Sequence, residues 1–141
     1  MNKFSGFRVR HPSDVVDVLE RYRRKRQEHF VVVTLNYDHE VIKVHVVTIG
    51  LVNKTIIHPR EVYWHAVKDF ASAVVVAHNH PSGNTFPSAE DNEITERLMS
   101  AAEVLGFHFL DHLILGKDSY YSYGTERKWG QAEIRNIKVA E

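Results

Sequence analysis

The 141-residue sequence contains no cysteine and no excess of either charge, with 18 basic and 18 acidic residues. The lack of cysteine excludes a disulfide scaffold and any zinc site with thiolate ligands. The balanced charge differs from the strongly basic composition typical of nucleic-acid-binding domains. No apolar run approaches the roughly 20 residues that span a bilayer, and residues 1–10 lack the apolar segment of a secretory signal. We therefore expect a cytoplasmic protein without a membrane segment.

Hydrophobic residues, which make up 43% of the chain, follow patterns that predict one layered α/β domain. Helices interleaved with strands predict a mixed β-sheet flanked by helices. Residues 1–12 form an entry arm, and residues 124–141 form an extension whose conformation the pattern does not predict. The expected elements are a helix capped by Ser13 or Asp14 with an apolar face reaching Tyr22, strands at residues 30–35 and 41–47, a helix at 59–70, a strand at 71–80, a helix from Ser88 to Gly106, and strands at 107–115 and 120–123.

The stretch that joins the third strand to the long helix contains two histidines and an aspartate, His78, His80 and Asp91. Side chains alternate along a strand, so both imidazoles point to the same side. Ser88 is a suitable helix N-cap, which places Asp91 in the first helical turn. The intervening loop contains glycine and proline and can fold back on the strand. Two nitrogens and one oxygen suit zinc and leave a fourth position open for water.

The serine and the aspartate also allow an interpretation without a metal. Ser88 and Asp91 are close to a capping box, in which two side chains satisfy N–H groups at a helix start. That interpretation does not explain two histidines on one face of a strand end. Other metal motifs are excluded, because a zinc deaminase needs a cysteine pair and the His-Glu-x-x-His motif of zincin proteases is absent.

The pattern His78-x-His80, followed after seven residues by Ser88-x-x-Asp91, resembles the JAMM signature of JAB/MPN metalloenzymes. The asparagine between the histidines and the Pro-Ser-Gly after them are similar to the RadC branch. Most RadC-like proteins also have an N-terminal region resembling a DNA-binding helix-hairpin-helix module, and these 141 residues leave no room for one. Three further segments extend the resemblance over about residues 14–123, namely Glu28-His29-Phe30, His58-Pro59-Arg60-Glu61-Val62 and Leu110-Asp111-His112.

The resemblance implies a JAB/MPN architecture, which is cytidine-deaminase-like, over residues 13–123. It also implies one zinc ion per chain, bound by His78, His80 and Asp91 with a water molecule as the fourth ligand. In such proteins the metal-bound water is activated by a glutamate for amide hydrolysis. We therefore expect a zinc-dependent hydrolase similar to JAMM peptidases or isopeptidases, acting on a protein or peptide that the sequence does not identify.

The resemblance also implies two catalytic side chains. Glu28, ahead of the first predicted core strand, matches the glutamate that takes the proton from water, and Glu61 is a competing base. Ser88 would donate a hydrogen bond to the tetrahedral oxyanion. Asp111 and His112 could orient a metal ligand. They equally fit a satisfied buried pair, which is the interpretation we favour.

Two alternative functions stay open. One is an accessory protein of DNA metabolism, in line with the DNA-repair association of the RadC name, with a structural or inactive metal site. The other is a metal-dependent nuclease. Five of the six residues from Arg21 to Arg26 are basic, which is typical of a solvated helix end but also of a patch for phosphate or an acidic partner. An edge strand near Tyr120 offers a contact for a homo-oligomer.

Overall fold

The computed structural model describes residues 3–53 and 55–124. Within these ranges, no helix is both long and apolar enough to cross a membrane. The predicted C-terminal extension lies, from residue 125 onward, outside the described residues. In chain order the elements are α1 (Pro12–Val18), a 3-10 turn (Glu20–Tyr22), β1 (His29–Leu35), β2 (Val41–Ile49), α2 (Pro59–Lys68), β3 (Ala73–Asn79), α3 (Ala89–Leu105), β4 (His108–Leu115) and β5 (Tyr120–Ser122).

The five strands form one mixed sheet in the order β2-β1-β3-β4-β5. β3 and β4 are parallel and are connected through α3, whereas the other neighbouring pairs are antiparallel. α1 packs against one face of the sheet, and α2 and α3 pack against the other. Because β1 and β3 are covered on both faces, nearly all their residues are buried. The prediction of a single α/β domain with a mixed, helix-flanked sheet is confirmed.

The start of α1 differs from the prediction, which placed the cap at Ser13 or Asp14. His11 is the N-cap and Pro12 is the first helical residue. Proline suits that position because its missing N–H would have no partner within the helix. The Asp14 carboxylate instead accepts hydrogen bonds from the N–H groups of Arg10 and His11, at 2.7 and 3.1 Å. Asp14 therefore stabilises the helix start from within the first turn.

The predicted apolar face of the first helix continues beyond the helix itself. α1 ends at Val18, and the chain then enters the 3-10 turn. Leu19 and Tyr22 are nevertheless buried. The spacing therefore identified the residues of the core correctly, although tertiary packing holds the last of them in a tighter turn.

A shift of one residue in the pairing of β3 with β4 decides which side chains of β4 face the candidate site. Ala73 lies beside His108, but His78 lies beside Ile114, so β4 contains one extra residue between these pairs. Such a bulge exchanges the faces of all residues that follow it. As a result His112 lies on the same face as His78, and Asp111 lies on the opposite face.

Candidate metal centre

The three side chains predicted to bind a metal lie together at the end of β3. His78 precedes the last residue of β3, His80 follows the strand, and Asp91 lies in the first turn of α3. The Nε2 atom of His78 is 3.1 Å from both His80 Nε2 and Asp91 Oδ1. His80 Nε2 is 3.3 Å from Asp91 Oδ2. His78 and Asp91 are buried, whereas His80 is partly exposed and forms the solvent side of the cluster.

The donor atoms and their spacing fit a zinc ion. Bonds of about 2.0–2.1 Å in a tetrahedral site place neighbouring ligand atoms about 3.3 Å apart. The two Nε2 atoms are 3.1 Å apart, and each lies 3.1–3.3 Å from an oxygen of Asp91, Oδ1 for His78 and Oδ2 for His80. These separations are close to that value. The three side chains could therefore hold a metal ion, with each residue offering one ligand atom.

The ring of His80 is oriented by the loop that follows it. Its Nδ1 atom donates to the carbonyl oxygen of Asn84 at 2.7 Å. Because a carbonyl only accepts, Nδ1 carries a proton, and Nε2 is the nitrogen that faces the other two side chains. The sequence predicted that this loop folds back towards the strand, and the hydrogen bond to Asn84 shows one way in which it does so.

The cluster attracts positive charge. The hydrogen bond with Asp91 raises the pKa of His80 above its ordinary value. Burial raises the pKa of Asp91, but hydrogen bonds from His78 and His80 outweigh that effect and hold this pKa below its ordinary value. In the absence of a metal the carboxylate therefore favours the protonated form of His80. A metal ion would displace that proton on binding.

Ser88 and Asp91 form the capping box that the sequence suggested. Ser88 Oγ accepts from the N–H of Asp91 at 3.0 Å, and Asp91 Oδ2 accepts from the N–H of Ser88 at 2.9 Å. Asp91 serves the helix and the cluster together, because Oδ1 faces His78 while Oδ2 faces both the N–H of Ser88 and the ring of His80. Ser88 is exposed, and its hydroxyl retains a proton to donate. The capping and metal interpretations are therefore compatible, and the oxyanion role of Ser88 stays a prediction.

The two glutamates considered as the catalytic base occupy different positions. Phe30 pairs with His78 in the antiparallel register, which puts Glu28 opposite His80 just beyond the strand ends. The charge of Glu28 contributes to the raised pKa of His80, although hydrogen bonding to Asp91 is the largest cause. The N–H of Val52 donates to Glu28 Oε1 at 2.7 Å. Glu61 is exposed in the first turn of α2, and none of its described contacts reaches the cluster.

Asp111 and His112 make different contacts, although the sequence analysis considered them together. The Asp111 carboxylate accepts from the Ser122 hydroxyl and from the N–H groups of His112 and Gly124, so it stabilises the β4–β5 region. The ring of His112 instead contacts His78, with 3.0 Å between His112 Nε2 and His78 Nδ1. Burial lowers the pKa of His112 well below its ordinary value, which favours the neutral ring. Asp111 is thus a satisfied buried carboxylate, whereas an orienting role for His112 stays a prediction.

Asn79, between the two histidines, attaches the chain before β1 to the metal-bearing strand. Its side-chain amide donates to the carbonyl oxygens of Lys25 and Gln27, both at 3.1 Å. Its Oδ1 atom accepts from the N–H of His29 at 2.7 Å. These bonds fix the segment that carries Glu28. The asparagine therefore contributes to the site from the face opposite the imidazoles.

Two side chains near the site are not singled out by the sequence pattern. The hydroxyl of Thr95 lies 2.6 Å from His112 Nδ1. Its position four residues after Asp91, on the same helix face, is a signal that could have identified it. Arg23 belongs to the basic run but is largely buried, and it donates to the carbonyl oxygens of Gly116 and Ser119 at 2.8 and 3.2 Å. No sequence pattern distinguishes this arginine from its solvated neighbours.

Comparisons with known proteins point to one family. A family model described as RadC-like JAB domain matches residues 9–129. A UPF0758 protein of Alkaliphilus metalliredigens is 43% identical over 122 residues, which cover 86% of this chain and 53% of that protein. A UPF0758 protein of Caldanaerobacter subterraneus subsp. tengcongensis is 45% identical over 112 residues, covering 79% and 48%. One from Methanospirillum hungatei is 45% identical over 112 residues, covering 78% and 50%. The chain thus spans about half the length of these relatives.

Proposed function

The chain belongs to the family of RadC-like JAB domains, and from this premise we propose that it is a zinc-dependent hydrolase of amide bonds. His78, His80 and Asp91 would hold the ion. The observation that carries the proposal is the convergence of the two Nε2 atoms, 3.1 Å apart, and the Asp91 carboxylate, whose oxygens lie 3.1 and 3.3 Å from them, with the exposed side at His80. When bound, zinc would supply the Lewis acidity that makes water a nucleophile near neutral pH.

Glu28 is the residue that we assign to the proton transfer. It lies opposite His80, and its carboxylate is held through Oε1 by the N–H of Val52. Within residues 3–53 and 55–124, no hydrogen bond engages the other oxygen, Oε2. That oxygen can accept the proton of the attacking water and return it to the leaving amine, a contribution of about 10²- to 10⁴-fold in rate.

Ser88 is the residue that we assign to the oxygen of the attacked carbonyl. Its Oγ atom is fixed because it accepts the N–H of Asp91 at 3.0 Å. The hydroxyl proton can then point to the side of the cluster where the substrate would lie. Positioned donors of this kind stabilise negative charge that develops on the oxygen during the reaction.

The test compares two glutamate variants in the zinc-loaded protein. Glu28→Gln keeps an oxygen to accept from Val52, so we expect it to fold and to bind zinc as the wild type does. We expect its turnover of peptide or isopeptide substrates to fall about 10²- to 10⁴-fold. Glu61→Gln is the matched control, because that side chain is exposed and away from the cluster, and it should keep full activity.

The possible outcomes test two things, the choice of Glu28 over Glu61 as the base and the proposed amide hydrolysis itself. Loss of turnover in Glu61→Gln alone would contradict the assignment of Glu28. Equal hydrolysis by the wild type and both variants would mean that the observed activity does not come from this site. A zinc-loaded protein that cleaves DNA in a Glu28-dependent manner, and no peptide or isopeptide, would replace amide hydrolysis with the nuclease alternative.

A further inference from the structure

A chain of hydrogen-bond contacts connects His78 to the backbone of Asp91 through two buried residues that are not predicted metal ligands. His78 Nδ1 and His112 Nε2 are 3.0 Å apart, and His112 Nδ1 and Thr95 Oγ1 are 2.6 Å apart. The Thr95 hydroxyl donates to the Asp91 carbonyl oxygen at 2.8 Å. Thr95 and His112 are both buried. The chain therefore joins β3, β4 and α3 beside the cluster.

The direction of the bonds in this chain follows from a cation at His78 Nε2. A metal ion bound there would leave the ring proton of His78 on Nδ1, where its described partner is His112 Nε2, 3.0 Å away. A neutral His112 that accepts at Nε2 has its own proton on Nδ1, which would be donated to Thr95 Oγ1 at 2.6 Å. The Thr95 hydroxyl proton is then directed at the Asp91 carbonyl oxygen, so every member of the chain has a partner in the arrangement that frees the Nε2 lone pair of His78.

We infer that Thr95 and His112 are positioning residues that fix His78 in the tautomer required of a metal ligand. Their role rests on the proposed metal site, because only a bound cation benefits from three lone pairs directed at one point. Hydrogen bonds to the distal nitrogen of a ligating histidine commonly serve this purpose. The relay differs from the usual arrangement in that a second imidazole and a threonine transmit the direction of a backbone carbonyl.

The threonine hydroxyl supplies the acceptor that the metal-bound direction of the chain needs. Without it, His112 Nδ1 would lose its acceptor, and the chain of bonds could reverse. His112 Nε2 would then donate to His78 Nδ1, and the proton of His78 would move to Nε2. From there it would point at Asp91 Oδ1, 3.1 Å away, and occupy the space of the metal. The reversed arrangement would therefore compete with metal binding without any change in the number of protons.

The experiment measures zinc affinity by competition with a chelator in the full chain. Thr95→Val keeps the shape of the side chain but removes the hydroxyl, and we expect its zinc affinity to fall about 10- to 100-fold. Thr95→Ser restores the hydroxyl and should return the affinity to near the wild-type value. Thr34→Val is the matched control, because it removes another buried hydroxyl, which donates to Asp69 at 2.8 Å and has no contact with the cluster. It should leave zinc affinity unchanged.

A second measurement reads the tautomer in the zinc-loaded protein. Nitrogen chemical shifts of the His112 ring should show the proton on Nδ1, although the Nε2 tautomer is the common one for free histidine. A proton on Nε2 in the zinc-loaded protein would overturn the inference, as would equal zinc affinities of the wild type and Thr95→Val. Both of these outcomes leave the proposed zinc site standing, whereas a wild-type protein that binds no zinc would overturn the proposed function together with the inference.

Discussion

Replacing Ser88 and Asp91 one at a time separates the two tasks that meet at the start of α3. Both residues form the capping box, but only Asp91 faces the imidazoles. In the absence of zinc, Ser88→Ala should lower the free energy of unfolding by about 0.5–2 kcal/mol, the usual cost of a lost cap. Asp91→Ala should cost at least as much, because it removes its half of the box together with the charge that stabilises His80.

Added zinc should raise the free energy of unfolding of one variant but not of the other. At a free zinc concentration about 1,000 times the Kd, binding to the folded state alone adds about 4.1 kcal/mol to the free energy of unfolding. The wild type and Ser88→Ala should both gain this increment. Asp91→Ala should gain little of it, since one of the three protein ligands is gone. The zinc-dependent difference between the two variants is thus larger than the difference in capping.

Urea unfolding of the three proteins, with and without zinc, gives each increment directly. The midpoints convert to free energies if the slopes agree among the variants. A full zinc increment in Asp91→Ala would refute the assignment of Asp91 as a ligand. Loss of the increment in Ser88→Ala would show that the cap and the metal site cannot be separated.

Three further predictions test the surroundings of the cluster. The hydrogen bond with Asp91 is the main cause of the raised pKa of His80. This raised pKa stabilises the metal-free folded protein fully below the unfolded pKa of about 6.5. The stabilisation should be lost as pH rises through the folded pKa, and urea unfolding at several pH values will measure the loss. Arg23→Ala leaves two carbonyls without their donor and should cost about 1–3 kcal/mol, whereas Arg26→Ala at an exposed position should cost less than about 0.5 kcal/mol in the same assay. A Cβ atom at Gly116 would lie 2.7 Å from Thr85 Cγ2 and 3.0 Å from the Gly83 oxygen, so Gly116→Ala should displace the loop that orients His80 and weaken zinc binding in a chelator competition.

The sequence is sufficient to predict the cluster because its geometry is local. Alternation along a strand places His78 and His80 together, and a capped helix start brings Asp91 near them. The same reasoning could not assign Asp111 and His112 separately. Both are buried, and the one-residue bulge that exchanges their faces has no signature in a run of buried apolar residues.

Long-range contacts explain why the sequence did not predict the environment of the basic run at residues 21–26. The basic run gives a charge pattern but does not reveal that Arg23 reaches the turn between β4 and β5, more than ninety residues later in the chain. Arg24 likewise pairs with Glu20 at 3.2 Å. Arg23 and Arg24 are thus engaged within the protein, and a patch for phosphate or an acidic partner stays an alternative from the sequence. Nucleic-acid association and oligomerisation stay predictions from the sequence.

The most direct test of the metal centre is the metal content of the purified protein, measured by elemental analysis for the wild type and for His80→Ala. His80 is the partly exposed member of the cluster, so its replacement should disturb the core least. The account predicts about one zinc ion per wild-type chain and a loss of that ion in the variant. A wild-type protein that contains no metal and takes up none from added zinc would contradict it, and would leave Ser88 and Asp91 as a helix cap alone.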